Sequence, residues 1–269
     1  YNLLISTFLY CVVEGTPLVV MAQRLYAGVG SFSFLAIPFF VLTGEFMLRG
    51  GLLERLVDFV NAYFGRVKGA IAVVTVLVSL LMGAIVGLAV ATAASLGSFL
   101  IPMMKKEKYS PAFSAAVMSS ASLLGPIMPP SVLMITYCIA AGGTSIAGVF
   151  MAAVVPAICI AIVQSITIMV IAKKRNYPSY PPVSRKERLI ATKRAIPALL
   201  LPVIILGGIF SGIFSVTEAS AIAAGYSGFL AFVVYKNAKL KDIPEIFKSA
   251  ALSSGLTLIL VGAGMTMSW

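Results

Sequence analysis

The sequence predicts an all-α polytopic membrane protein, a helical bundle that contains a re-entrant hairpin and a discontinuous helix. Three observations carry this. Hydrophobic residues make up 60% and charged residues 11% of the 269 positions, and the mean hydropathy is +1.03. A soluble domain carries roughly a quarter charged residues, so the polar supply here cannot cover a water-facing surface. Several charge-free runs approach or exceed the roughly 20 residues that cross a bilayer. The third observation is GPIMPPS at 125–131, three prolines and a glycine set inside an apolar stretch at 111–141.

The charge balance, 20 Lys+Arg against 9 Asp+Glu, is +11. The positives are clustered, as in cytoplasmic loops, and so do not form a nucleic-acid surface. KKEK occupies 105–108. Residues 173–194 hold Lys173, Lys174, Arg175, Arg185, Lys186, Arg188, Lys193 and Arg194 against Glu187 alone, and Lys236, Lys239, Lys241 and Lys248 form a third group. The chain has no histidine, which removes imidazole metal sites and Ser-His catalysis. Cys11, Cys138 and Cys159 stand in apolar contexts at unrelated spacings and read as buried free thiols. The chain begins without Met and stops inside an apolar run, so it reads as a piece of a longer protein.

Taken in order, residues 3–13 are apolar but short for a span. The next 18 or so, with Glu14, Pro17 and Arg24, read as an interfacial connection, and 30–48 as a span carrying Glu45. In RGGLLERLVDFVNAYFGRVKG, Leu52, Leu53, Leu56, Val57, Val60 and Phe64 recur at helical spacing while Glu54, Arg55, Asp58 and Asn61 take the other face. This is an amphipathic helix suited to the interface. Residues 69–104 then carry no charge. A straight helix of that length would measure about 54 Å against a bilayer core of about 30 Å, and basic residues stand at both ends, so the segment must double back. Its natural tip is GAIVG at 83–87. Residues 110–141 cross outward through GPIMPPS, 144–172 return, 173–194 form a basic inside loop, 197–213 cross outward, SVTEAS at 215–220 opens a return span, and 243–269 start outward again. Every basic cluster falls on one side of this topology.

Proline offers no N–H, so Pro126, Pro129 and Pro130 leave carbonyls of the preceding turn without helical partners. Within a membrane such backbone survives only where protein buries it or a cavity receives it. Unwound carbonyls at mid-membrane suit a small cation, and an ion-transporter-type bundle places its sites at such breaks. Residues 83–87 and 125–131 are then two halves of one binding place. Glu218, following Ser215 and Thr217, is assigned to a helix cap, and Glu45 to a structural role. Gln164, Asn61 and Tyr137 are assigned to interhelical bonding.

FLAIPFFVLTGEFMLRGGLLERL, ATAASLGSFLIPMMKKEKYSPAFSAA, GPIMPPSVLMITY and LPVIILGGIFSGIFSVTEASAIA resemble, in content and order, the large membrane subunit of tripartite ATP-independent periplasmic (TRAP) transporters, from about residue 15 to 269. The resemblance implies Na⁺-coupled import of acidic organic solutes, carboxylates or sialic-acid-like sugars, across the bacterial inner membrane. It also implies a periplasmic binding protein that delivers the solute, a small membrane subunit as partner, an elevator-like mechanism, and no organic cofactor. The division it suggests is 1–68 as scaffold helices and arm helix, 69–141 as transport-domain hairpin and broken helix, 142–172 as a transmembrane helix, 173–194 as the basic loop and 195–269 as further spans, mainly the first structural repeat of a longer protein. Carried over by position, the Na⁺ ligands are carbonyls of Gly83, Val86, Gly125, Met128 and Pro130, with Thr92 and Ser131 beside the substrate. Two departures stand out. The family's Ser-Gly-Ser tip is Val86-Gly87-Leu88 here, and its following Asp is Thr92, which leaves Na⁺ stoichiometry and substrate class open. The competing readings are an ion-driven carboxylate transporter that needs no binding protein, and a membrane-embedded enzyme. The enzyme would need convergent acids or histidines, which this chain lacks.

Overall fold

Helices order themselves here around one buried helix, residues 70–86, and each boundary follows from local chemistry. A computed structural model describes residues 2–87, 89–181 and 183–268, and no strand occurs among them. Leu88, Pro182 and Trp269, which fall in the expected hairpin tip, basic loop and last span, lie outside the described residues, as does Tyr1. In chain order the helices are α1 (Asn2–Val13), α2 (Leu18–Val29), α3 (Ala36–Arg49, led by a 3-10 turn at Phe32–Leu35), α4 (Leu52–Phe64), α5 (Ala70–Val86) and α6 (Ala89–Lys106). They continue with α7 (Pro111–Ser122), α8 (Leu124–Ile127), α9 (Val132–Ala141), α10 (Ile146–Lys174), α11 (Arg185–Phe210), α12 (Val216–Phe229, extended by a π turn at Leu230–Val234) and α13 (Ile243–Ser268). Five of these helical stretches are long and apolar enough to cross a membrane, and the bent pair Pro111–Ile127 with Val132–Ala141 makes a sixth. The protein is an all-α multi-pass membrane protein.

The elements begin and end where capping chemistry allows. Ser184 opens α11 with a capping box: its hydroxyl oxygen accepts from the Glu187 N–H at 3.2 Å, and its own N–H donates to the Glu187 carboxylate at 2.9 Å. Ser215 and Glu218 repeat the device at α12, with distances of 3.3 and 2.8 Å. Glu218 is therefore a cap, as expected from SVTEAS. Glu45 accepts from the Ser249 hydroxyl at 2.7 Å, and Arg49 pairs with Glu245 at 3.1 Å, so α3 and α13 are joined by two polar contacts one turn apart. Gln164 donates from α10 to the Ser120 carbonyl of α7 at 3.0 Å, the interhelical bond expected of it.

Four expectations are corrected. Residues 18–29 of the expected interfacial connection form a regular helix packed on α13. The stretch 173–194 is not all loop, because the Ser184 cap starts α11 at Arg185 and puts its last basic residues on helical turns. Cys159 is exposed on α10, while Cys11 and Cys138 are buried. Tyr137 is 62% exposed instead of making the interhelical bond expected of it.

The apolar face of α4 is buried within the chain. Leu52 and Leu56 are completely covered and Val60 is 3% exposed, packed on α5 and α11. Phe64 departs from that face and is 46% exposed. The basic ends of the bundle meet in one place. The Tyr180 N–H donates to the Gly65 carbonyl at 2.8 Å, and the Gly69 N–H to the Pro178 carbonyl at 3.1 Å. Tyr177 stacks on Tyr109 at 4.2 Å and bonds Ser110. Burial, with the Glu107 carboxylate bonded to its hydroxyl, pushes the Tyr180 phenol above its usual range. The segment after α10 thus straps both feet of the α5–α6 hairpin. Placing that strapped end on the cytoplasmic side yields a direct test. Lys106→Cys and Lys186→Cys, in a full-length protein with Cys159 replaced, should be labelled by a membrane-impermeant maleimide only after the inner face is opened. Labelling of either in intact cells would overturn the hairpin topology.

Candidate functional site

The chain breaks twice, and each break joins the C-terminal end of one helix to the start of the next. α5 stays helical through Val86 and terminates at Gly87, whose left-handed backbone (φ 65°) donates its N–H to the Gly83 carbonyl at 3.0 Å. This is the glycine stop expected where the chain must reverse at a helix end. The helix therefore ends at the last residue of the expected tip 83–87, because nothing before Gly87 forces it to end. On the other side, Gly125 and Pro126 lie within the helical turn α8, and only 128–131 is unwound. Pro126 is tolerated there because the first N–H groups of a helix have no intrahelical acceptor. Pro129 and Pro130 do the breaking: a continuing helix would need their N–H groups for the carbonyls of Gly125 and Pro126. The helix restarts at α9 at 46° to the first part, with Ser131 as cap, accepting from the Met134 N–H at 3.4 Å.

The two breaks are in contact backbone to backbone. A Cβ placed at Gly83 would lie 2.8 Å from the Leu124 carbonyl oxygen and 3.1 Å from both the Gly125 Cα and the Met128 Cβ. One placed at Gly87 would lie 2.5 Å from the Pro130 carbonyl oxygen and 3.2 Å from the Ser131 Cα. Only glycine permits that approach. The structure thus brings Gly83, Gly125, Met128 and Pro130 together, with Val86 on the last turn before Gly87. α9 contributes about 15 Å of rise and the helix before the break about 26 Å, which sets the junction well inside the bundle.

Each helix end carries the partial negative charge of its last carbonyls. The next helices start at Ala89 and Val132, so ends of both signs meet here, and the Gly83 and Leu124 carbonyls each already accept one N–H, from Gly87 and Met128. Among the described residues no group of three or more His, Cys, Asp or Glu is placed to hold a metal, and main-chain oxygens of Leu124 and Pro130 stand at the contact between the breaks. Thr92, in the first turns of α6, and Ser131 are both fully buried. The Ser131 hydroxyl is occupied in capping α9, and neither side chain meets solvent.

A cleft of about 860 Å³ opens beside the junction, reaching from Gly87 and Pro126 past Val132 to α13. Its walls are apolar apart from Thr136, Ser253 and Thr257. Sequence reasoning missed these three. Ser253 and Thr257 are one helical turn apart on α13, the only periodic signal that marked them, and nothing in the sequence placed α13 beside the break. The Leu124 carbonyl, in direct contact with Gly83, was missed as well, since no side-chain pattern marks a main-chain oxygen.

The family profile described as "Tripartite ATP-independent periplasmic transporter, DctM component" matches residues 1–269. Curated relatives include the C4-dicarboxylate TRAP transporter large permease protein DctM of Pseudomonas aeruginosa, 40% identical over 244 residues, 90% of this chain and 57% of the relative. The ectoine TRAP transporter large permease protein TeaC of Halomonas elongata is 40% identical over 249 residues, 93% and 58%. The sialic acid TRAP transporter large permease protein SiaM of Vibrio cholerae is 36% identical over 248 residues, 92% and 58%. The chain spans less than three fifths of the length of these relatives, which are permease proteins and not enzymes. The profile covering every residue and the identities at or above 36% place it: this chain belongs to the DctM component family of tripartite ATP-independent periplasmic transporters.

Proposed function

We propose that the whole protein is the Na⁺-coupled permease subunit of an importer of acidic organic solutes in the bacterial inner membrane. The observation that carries this reading is the backbone-to-backbone contact of two helix breaks, with main-chain oxygens and glycine contacts in place of side chains. Such an array favours a cation through its dipoles but includes no formal anion, so the ion is held weakly enough to leave again. Carbonyls of Gly83, Val86, Gly125, Met128 and Pro130 hold the Na⁺. Thr92 in place of an acid keeps the site free of fixed negative charge. The solute occupies the adjoining cleft, where the Ser253 hydroxyl donates to it while the Thr136 and Thr257 hydroxyls donate to the Val132 and Ser253 carbonyls, and Thr92 and Ser131 support it from behind, as buried residues. A periplasmic binding protein delivers the solute and a small membrane subunit completes the complex. Residues 69–141 travel as one body against the remaining helices in an elevator-like step, since the hairpin and the broken helix share the Na⁺.

The test is solute uptake against Na⁺ concentration in proteoliposomes of the full-length complex, with C4-dicarboxylates, sialic acid and ectoine as candidates and with the binding protein present or omitted. Uptake should need both Na⁺ and the binding protein. Gly125→Val should raise the Na⁺ concentration for half-maximal uptake about tenfold or more, the effect of losing a charge-assisted contact. Uptake indifferent to Na⁺ would overturn the ion site, and uptake without the binding protein would favour an importer that works alone.

A further inference from the structure

A second cleft, of about 1030 Å³, lies at the basic end of the bundle between α4, the start of α11 and the end of α12. It stands apart from the helix breaks. Six charged residues line it in equal number of each sign: Arg55, Lys193 and Arg194 against Glu54, Asp58 and Glu187. Two of these are already occupied. The Arg55 guanidinium donates to the Gly50 and Gly51 carbonyls at 3.2 and 2.5 Å and lies 3.9 Å over the Tyr235 ring. Glu187 belongs to the Ser184 cap. Lys193 and Arg194 then face Glu54 and Asp58, and among the described residues no ion pair within 4.0 Å joins them. The Asn61 side-chain oxygen, on the same wall, is buried and has no hydrogen-bond partner. Ile190 and Val234, on the rim, are 41% and 44% exposed.

We propose that this cleft holds the headgroup of an ethanolamine phospholipid. The cleft asks for a zwitterion with N–H donors at one end, a phosphodiester at the other and acyl chains beside the rim. Its ammonium meets Asp58 and Glu54, and its phosphate meets Lys193 and Arg194. Basic pockets between helices at the cytoplasmic boundary are where phospholipid headgroups seat themselves. Here the two free carboxylates add a demand that an anionic headgroup does not meet. A glycerol headgroup would bring a negative charge to Asp58 and Glu54. A choline headgroup balances charge but offers the Asp58 and Glu54 carboxylates no N–H. This assignment does not depend on the transport reading.

The experiment is native mass spectrometry of the full-length complex, small subunit included, titrated with phosphatidylethanolamine, phosphatidylcholine and phosphatidylglycerol of matched chains. The ethanolamine lipid should be retained about tenfold better than the other two, the discrimination that charge-assisted hydrogen bonds supply. The double variant Asp58→Asn, Lys193→Gln changes only exposed side chains and should keep its fold. It should bring ethanolamine retention down to the choline level. Free O-phosphoethanolamine at equal concentration should not displace the lipid. Equal retention of all three lipids, an unchanged preference in the double variant, or loss of the bound lipid when the small subunit assembles would each overturn the proposal. Displacement by the free headgroup would overturn the lipid as its source.

Discussion

Gly87→Ala in the full-length protein should reduce Na⁺-driven uptake at least about tenfold and raise the Na⁺ concentration for half-maximal uptake, with little loss of folded material. Two effects act together. Residue 87 has φ 65°, and a side chain in the left-handed region costs about 1–2 kcal/mol. The new methyl would also sit 2.5 Å from the Pro130 oxygen, so either the tip lifts or the Pro130 carbonyl turns away. Both movements separate the carbonyls proposed to share the ion. Gly225→Ala is the control, because Gly225 has open space around its Cα and lies on an exposed turn of α12. It should transport as the parent does. If Gly87→Ala kept the parent's Na⁺ dependence, the contact between the two breaks would be packing alone.

Leu56→Asp should abolish recovery of monodisperse protein, whereas Phe64→Asp should leave it intact. Leu56 is completely buried against α5 and α11, while Phe64 is 46% exposed on the same helix. A carboxylate forced into that core finds no partner, and the cost is about 4 kcal/mol or more, the range reserved for buried unpaired charges. Fluorescence-detected size exclusion of both variants in mild detergent measures it. The opposite pattern, with Leu56→Asp folded and Phe64→Asp losing the small subunit, would mean that α4 is an arm for a partner and not part of this chain's own core.

The contrast on α4 shows how far sequence reading reaches. Spacing identified the helix and its two faces, since periodicity is local. It could not say whether water, lipid or protein covers the apolar face, because that depends on α5 and α11 folding back from far along the chain. The same holds at the ends of elements. SVTEAS announced the Ser215–Glu218 cap because the cap closes within four residues. The start of α11 was read too late, since the run of basic residues that marks an inside loop also lines the first turns of a helix and hides its Ser184–Glu187 box.

The candidate site divides likewise. Prolines at 126, 129 and 130 and glycines at 83, 87 and 125 located both interruptions, because missing N–H groups and missing Cβ atoms are properties of single residues. Which residues stay helical was a balance: Pro126 remained in α8 and 128–131 opened, and Gly83 stayed in α5 while Gly87 ended it. By itself the sequence determined the membrane setting, the all-α class and the two breaks, all set by composition and by short-range backbone chemistry. Only the tertiary structure decided that Gly83 meets Leu124, that Gly87 meets Pro130, and that α13 brings Ser253 and Thr257 to the cleft beside them. Such contacts join main-chain atoms about forty residues apart or more, and no side-chain pattern encodes a meeting of carbonyls.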